Sequence, residues 1–417
     1  MSNKILFLAD NFHPPWCEGT ITILRGWTYA LETCLDSEVK VFSWIDETES
    51  ATTCCGFRGD QNPCIIYIKP DNLCTLINFL IRYLVHPNTF IHMWYRFASI
   101  VRQAIFIQHL LKHRTRELSS YEILHVHNIS QRLFIREFHR NLRNKLFISH
   151  MTSSIESLLY PSNLIKKVHG VAITSPKAYN SMKRLYPEAK AFLIPPIPFL
   201  PSRLPSASKS LITPPINVTR ELDILYNLKS RGYGIILYIG NVNVYRFPQE
   251  LFIKMLKKLK ESNFLLLIIT PPNLSNLQYL VKLERLAKKF QVTRNVLLYA
   301  KILDIYEKEK VFEIADIFIY PPSREKYLAV DPPLSLIEAL VKDKYVIASA
   351  VQSVPLLIKL SEFGEIVKGN DKYYDNFVTI LENAIRKDAY YGKTSSKIKD
   401  IFTPEYVAQR FKEMYQI

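Results

Sequence analysis

Glycine is scarce in this chain, 11 in 417 residues, against a usual share of ~7%. Loops that lay bare backbone against a ligand rely on glycine, so any such loop here is built sparingly. No Cys-x-x-Cys occurs, all six cysteines precede residue 75, and no histidine lies between His13 and His86. Those gaps exclude the common zinc-ligand spacings and favour reduced thiols in a cytosolic chain. Asp-x-Asp is absent throughout. No apolar run reaches the ~18 residues that a bilayer span requires. The opening MSNKILFLAD reads as a buried strand followed by an acid. It lacks the longer apolar region and cleavage site of a signal peptide, so a cytoplasmic location is expected. Solenoid repeats and low-complexity segments are missing as well.

What is present is ordinary globular material, 48% apolar and 22% charged, with Lys and Arg outnumbering acids 54 to 38. The net charge of +16 is spread over both halves without a basic tail. An anionic partner is implied, whether nucleotide, phosphorylated lipid or membrane surface. At ~150 residues per domain the length allows two or three domains.

Short apolar runs alternate with helical periodicities, the pattern of parallel α/β structure. Strands are expected at 4–8, 39–44, 65–68, 123–127, 146–149 and 170–174, with helices at 20–35 and from 76 to about 118. Seven prolines then fall between residues 195 and 215, a density that neither a helix nor an inner strand tolerates. The alternation restarts with strands at 235–239, 265–270, 296–299, 317–320 and 345–348. Helices are expected at 248–261, 278–290, 304–314, 334–341, 371–387 and 404–417. The division is therefore a Rossmann-like domain at 1–198, a proline-rich linker at 199–232 and a second such domain at 233–400. The last helix, 401–417, is expected to return to the first domain. Two doubly wound domains would face a central cleft, with ligands at the carboxyl ends of the strands.

The window Ala315 to Ser349, ADIFIYPPSREKYLAVDPPLSLIEALVKDKYVIAS, carries the most chemistry. It reads as strand, long loop, helix and strand, with Pro332-Pro333 at the helix entrance. Glu338 falls one turn inside, where a carboxylate can accept from a ribose, and the amides at the helix start can hold phosphate. This window resembles the retaining GT-B glycosyltransferases of family 4, the glycosyl transferases group 1. Glu338-Ala339 matches the second glutamate of their Glu-x7-Glu signature, and Val346-Ile347-Ala348-Ser349 the strand after it. The first glutamate falls at Val330, and Asp331 is its nearest substitute.

The resemblance extends over nearly the whole chain. Ile5 to Asp10, then Pro14 to Thr20, is similar to the family's first strand and Pro-x-x-Gly-Gly loop, which faces the donor diphosphate. Only Gly19 of that glycine pair is present, with Glu18 beside it. YEILHVHN, Tyr121 to Asn128, resembles the strand end whose second histidine, here His127, faces the transferred sugar. Strand alternation puts His125 on the same face as His127. LYIGNVNVYR falls on the family's diphosphate-gripping G-R-x4-K. Arg246 takes the lysine position, whereas Asn241 stands on the arginine position without its charge. Arg324 or Lys326 is a candidate replacement cation, with a solvated surface role equally open. Thr270-Pro271 and Ala300 replace two family glycines, and Lys301-Ile302 corresponds to the segment bordering the base. The lack of Asp-x-Asp agrees with a GT-B protein, which neutralises its leaving group with cations and helix dipoles.

One stretch stands apart from the resemblance. Residues 72–116 contain no acid but six cations, Arg82, Arg96, Arg102, Lys112, Arg114 and Arg116, interleaved with aromatic rings. This describes either an anionic-membrane surface or a core helix with a solvated basic face. No nucleic-acid reader motif accompanies it.

The function implied is a metal-independent hexosyltransferase without cofactor, moving a sugar from a nucleotide-sugar donor to a hydroxyl. A lipid-linked or surface glycan is the expected acceptor, at a peripheral membrane location. His127, Asp331 and Arg246 would be catalytic, and Gly19, Asn241, Arg246, Lys301 and Glu338 donor-binding. A catalytically silent sugar-nucleotide-binding or scaffold protein of the same fold is the alternative. An enzyme making a soluble disaccharide or protein-linked sugar is another.

Overall fold

The structure is a computed structural model that describes residues 3–10, 19–44, 65–68, 107–108, 110–127, 135, 144–153, 165–198, 218–260, 262–303, 305–323 and 330–416. It divides into two compact units, Met1–Ile197 with Pro404–Ile417, and Pro198–Thr403.

In chain order the first unit contains β1 (Lys4–Asp10), α1 (Gly19–Leu35), β2 (Glu38–Trp44), β3 (Ile65–Ile68), α2 (Thr115–Leu118), β4 (Ile123–His127), β5 (Lys145–His150), β6 (Gly170–Ile173), α3 (Pro176–Leu185) and β7 (Ala191–Leu193). The second contains α4 (Val218–Ser230), β8 (Gly234–Ile239), α5 (Gln249–Leu259), β9 (Phe264–Thr270), α6 (Leu274–Lys289), β10 (Val296–Ala300), α7 (Ile305–Ile314) and β11 (Ile317–Tyr320). It continues through α8 (Leu334–Val341), β12 (Tyr345–Ser349), α9 (Val354–Ser361), β13 (Gly364–Val367), α10 (Tyr373–Arg386) and α11 (Ser396–Ile401). The chain then returns to the first unit as α12 (Pro404–Tyr415).

The first sheet runs β3-β2-β1-β4-β5-β6-β7 and the second β10-β9-β8-β11-β12-β13, all pairs parallel. Each is the doubly wound order in which the strand sequence reverses beside the first strand of its unit. Parallel strands in such sheets are covered on both faces, which is why their apolar runs do not alternate. Ile5, Leu6, Phe7 and Leu8 of β1 are all fully buried, as are Ile235, Ile236 and Leu237 of β8. The expected α/β class with two Rossmann-like units is what the structure contains.

Several elements exceed the sequence expectation. Helix α4 lies inside the segment 199–232, which is therefore not all linker. Leu225 of α4 belongs to the same buried cluster as Ile235, Leu237 and Val311 in the core of the second unit. Helix α3 is started by Ser175, whose hydroxyl accepts from the Ala178 amide at 3.1 Å, with Pro176 next, a standard N-terminal arrangement. Helix α6 begins at Leu274, ahead of its expected start, because Asn273 caps it by accepting from the Asn276 amide at 2.9 Å. Of the basic stretch 72–116, the structure describes only the end. There Ile107 and Leu110 are in the core while Lys112 and His113 are exposed, as an amphipathic helix requires. Among the described residues no helix is long and apolar enough to cross a membrane.

Two of the few glycines permit close backbone approach. A Cβ on Gly364 would stand 2.4 Å from the Val346 carbonyl oxygen, so β13 pairs with β12 only with glycine there. A Cβ on Gly26 would meet Ile197 Cβ at 2.9 Å, and beside it the buried Trp27 donates from Nε1 to the Pro195 carbonyl at 2.9 Å. Helix α12 lies along α1, with Phe411 edge-on to Trp27 at 5.2 Å between ring centroids.

The last turn of α12 is fixed to the first sheet by a hydrogen bond of 2.6 Å between the Tyr415 hydroxyl and His125 Nδ1, both buried. Removing the hydroxyl leaves a buried ring nitrogen without its partner, a loss of about 1–3 kcal/mol. Tyr415→Phe is therefore expected to lower the denaturant midpoint of the first unit at unchanged slope. All four tryptophans (16, 27, 44 and 94) precede residue 198, so tryptophan fluorescence follows that unit. An unchanged midpoint would show that the bond contributes nothing.

Candidate functional site

In the second unit the strand order reverses between β8 and β11, and the loops leaving these two strands carry Asn241, Arg246 and Asp331. After β8, Asn243 makes a local turn, its Oδ1 accepting from the amides of Tyr245 and Arg246, each at 2.9 Å. The Tyr245 carbonyl in turn accepts from the Ser323 amide at 2.7 Å, which ties this loop to the one after β11. Arg246 is half-buried. Burial pushes the phenols of Tyr238 and Tyr320 upward, and Arg246 lies near enough to oppose that rise at both. Asp331 adds to the rise at Tyr320. Arg246 and Asp331 thus share a neighbourhood around Tyr320.

Asn241 does not replace the missing cation. Its side-chain oxygen accepts from Asn276 Nδ2 at 2.9 Å, and Asn276 also receives the Val242 amide at 3.1 Å. The pair braces the loops after β8 and β9. Arg324 and Lys326, the candidate replacements, lie outside the described residues, as does Glu18. Val330 is partly buried and brings no polar side chain.

Asp331 is wholly buried, and its two oxygens accept from the Ser353 amide at 3.0 Å and the Ser353 hydroxyl at 2.8 Å. Ser353 is the N-cap of α9, where a carboxylate meets both free amides and the positive end of the helix. Asp331 thus anchors the loop before α8 to the start of α9.

Glu338 is different. It lies on α8, a helix entered through Pro333, and is wholly buried. Lys308 of α7 donates to its Oε1 at 2.5 Å, and Oε2 has no hydrogen-bond partner among the described residues. Burial raises the carboxyl's pKa, and Lys308 opposes the rise through its charge and its hydrogen bond. A second pair, Lys342 to Glu309 at 2.6 Å, locks α7 to α8 below it.

Lys301, just beyond β10, pairs with the buried Glu307 at 3.2 Å. Both line a pocket with Leu222, Leu225, Ile269, Tyr299, Leu303 and Val311, all of the second unit. Successive residues of α7 therefore serve different neighbours, Glu307 facing Lys301 and Lys308 facing Glu338. Neither Glu307 nor Lys308 stands out in the sequence, because each pairing is made across the fold. Among the described residues no cluster of three or more His, Cys, Asp or Glu side chains is arranged to hold a metal.

In the first unit Gly19 begins α1. His127 ends β4, as expected, but it is almost wholly buried with both ring nitrogens engaged. Its Nε2 lies 3.0 Å from the Thr20 carbonyl and its Nδ1 3.0 Å from the Ser149 hydroxyl. Burial is the main force pushing its pKa down, to about 4, and that of His125 falls well below its ordinary value for the same reason. With both rings neutral, the direction of every bond follows. A carbonyl only accepts, so His127 carries its proton on Nε2, and Nδ1 accepts from Ser149. Ser149 has then given its one proton, so His125 Nε2 donates to it at 2.8 Å, and His125 Nδ1 accepts from Tyr415. His127 is thus a link in an internal chain from α12 through β4 and β5 to α1.

Solved structures place this architecture. Sucrose-phosphate synthase from Thermosynechococcus elongatus matches 99% of this chain and 98% of its own, with a TM-score of 0.67 at 13% identity. A trehalose-6-phosphate structure from E. coli, bound with UDP-2-fluoro glucose, matches 100% and 99% with a TM-score of 0.64 at 13% identity. Anabaena HepE in complex with UDP and glucose matches 99% of each chain with a TM-score of 0.62 at 11% identity. The fold is GT-B. Residues 226–397 match the family of glycosyl transferases group 1, which bears out the resemblance over the second unit. No curated protein matches the chain by sequence.

The neutral histidines set an acid limit on the first unit. Unfolded, both rings titrate near 6.5; folded, they refuse the proton until far lower. Stability is therefore expected to be flat above pH ~6.5 and to fall as pH drops toward 4, with His127 alone accounting for up to about 3 kcal/mol. Tryptophan-monitored unfolding between pH 7 and pH 4 measures this. His127→Gln should make the slope shallower, and an equal slope in wild type and variant would contradict the assignment.

Proposed function

We propose that the chain is a metal-independent hexosyltransferase that moves a sugar from a nucleotide-sugar donor to a hydroxyl acceptor, with retention of configuration. The observation that carries this is Glu338, a wholly buried carboxylate with one unpaired oxygen, on the helix that follows the strand reversal. A carboxylate so placed suits the vicinal hydroxyls of a ribose, which supply the donors it lacks. Arg246, on the loop after β8, and the amides at the start of α8 would stabilise the departing diphosphate. Lys301 would border the base. His127 and Asp331 are both bonded within the fold, His127 to Thr20 and Ser149 and Asp331 to Ser353. The matched family, and relatives solved with UDP and glucose or with UDP-2-fluoro glucose, support a nucleotide-sugar donor.

A second reading, a nucleotide-sugar-binding protein without turnover, is favoured by Asn241 and by Val330. Both leave family positions without charge, and Asp331 is already engaged by Ser353. Release of nucleoside diphosphate from UDP-, GDP- and ADP-sugars in the presence of acceptor sugars separates the two. Release with any one of them supports the transferase, whereas binding without release supports the silent protein.

Glu338→Gln should weaken ribonucleotide binding by ~10-fold or more and lower turnover in parallel. Its melting temperature at neutral pH should stay equal or rise. A carboxyl with a raised folded pKa is most favourable below its unfolded value, and it opposes folding once pH rises through the folded one. Glutamine removes that opposition. Unchanged nucleotide affinity would take Glu338 out of the site.

The acceptor is proposed to be a lipid-linked or surface glycan, on the strength of the acid-free aromatic stretch 72–116. At about 1 kcal/mol per basic residue near an anionic surface, a few exposed cations suffice for reversible binding. Sedimentation with anionic vesicles should be strong at low salt and lost at high salt. Replacing Arg96, Arg102, Lys112 and Arg114 by Gln should abolish it, and sedimentation equal to wild type would leave only a solvated helix face.

A further inference from the structure

Lys308 lies outside every motif that the sequence displays, yet it is the side chain against which Glu338 rests. Its ammonium meets Oε1 at 2.5 Å, while Oε2 of the same buried carboxylate makes no hydrogen bond among the described residues. The lysine is about one-quarter exposed and the glutamate not at all, so the pair is solvated from the lysine's side only. Buried carboxylates are ordinarily satisfied at both oxygens, as Asp331 is by Ser353 in the same unit. Glu338 is satisfied at one. A hydrogen bond to an ionised oxygen is roughly twice as strong as one between neutral groups. A neutral carboxyl would carry its proton on the very oxygen that must accept, because the lysine holds the other.

We propose that Lys308 is a positioning residue, which holds the Glu338 carboxylate ionised and turned so that Oε2 receives a ribose hydroxyl of the donor nucleotide. The proposal rests on the assignment of Glu338 to the ribose. Lys308 itself would touch no substrate. Burial by itself drives this carboxyl toward its neutral form, and Lys308 opposes that drive. Exchange of Lys308 should therefore act only through hydroxyl groups that Glu338 can reach.

The experiment compares ADP, GDP and UDP with their 2′,3′-dideoxy counterparts by calorimetric titration of the full chain. Wild type should bind at least one ribonucleotide about 10-fold more tightly than its dideoxy analogue. Lys308→Met should lose most of that preference while its affinity for the dideoxy analogue stays within about twofold of wild type. Lys308→Arg, which keeps the cation, should restore most of it. In a Glu338→Gln background, Lys308→Met should add no further loss. Equal loss of both nucleotide types in Lys308→Met, or an undiminished preference, would overturn the positioning role and leave the ribose assignment standing. If wild type itself shows no preference, or binds none of the three, the ribose assignment fails and the proposal with it.

Discussion

Burying an ionised carboxylate costs several kcal/mol unless something in the fold replaces the water it has lost. The second unit meets that requirement twice within eight residues, and in two ways. Asp331 meets donors with both oxygens at a helix start, which accounts for its complete burial. Glu338 is given one cation and left with one oxygen unpaired. Such a group is not a stable resting element of a core, and the surrounding helices accept the cost because α7 and α8 are held together independently. Lys342 bonds Glu309, and Lys344 donates to the Glu313 carbonyl at 3.2 Å. These further ties let Glu338 be spared from structural duty.

The same requirement orders the loops around the strand reversal. Parallel sheets bury both faces, so polar groups collect where strands end. There Asn276 braces the loops after β8 and β9, Asn243 closes a turn within its own loop, and Ser353 binds both oxygens of Asp331. Glycine would let such loops approach a ligand with bare backbone, and this chain has few to use. It substitutes side-chain bracing by Asn and Ser. The loops are therefore shaped by amide and hydroxyl geometry, and their exact form depends on partners far away in sequence.

That dependence marks the limit of what could be read from the residues alone. Strands were legible because a doubly covered strand has an unbroken apolar run, and all of the longer ones fell within a few residues of expectation. Short or masked-by-context elements were not: β7 has three residues beside the proline cluster, and α4 lies within the stretch that the prolines made look like linker. Glu338 was legible because its neighbours form a strong local pattern. For Asp331 the pattern gives a position but not its partner, Ser353, 22 residues further on. Lys308 left no trace, being one of two lysines on α7, and its partner lies 30 residues away.

His127 shows how position and availability differ. A histidine at the carboxyl end of a central strand sits where ligands gather in this architecture, and the sequence supports no more than that. Its bonds decide whether it can be used. The Thr20 carbonyl fixes the Nε2 proton, Ser149 fills Nδ1, and the chain continues through His125 to Tyr415. Each member has one proton to give and one acceptor site to fill along the line, so the orientation of the last bond follows from that of the first. A ligand drawing on His127 would have to open this line at a buried point, and the tie between α12 and the first sheet would weaken with it. Glu338 asks for no such sacrifice, since the oxygen it offers is already free of the fold.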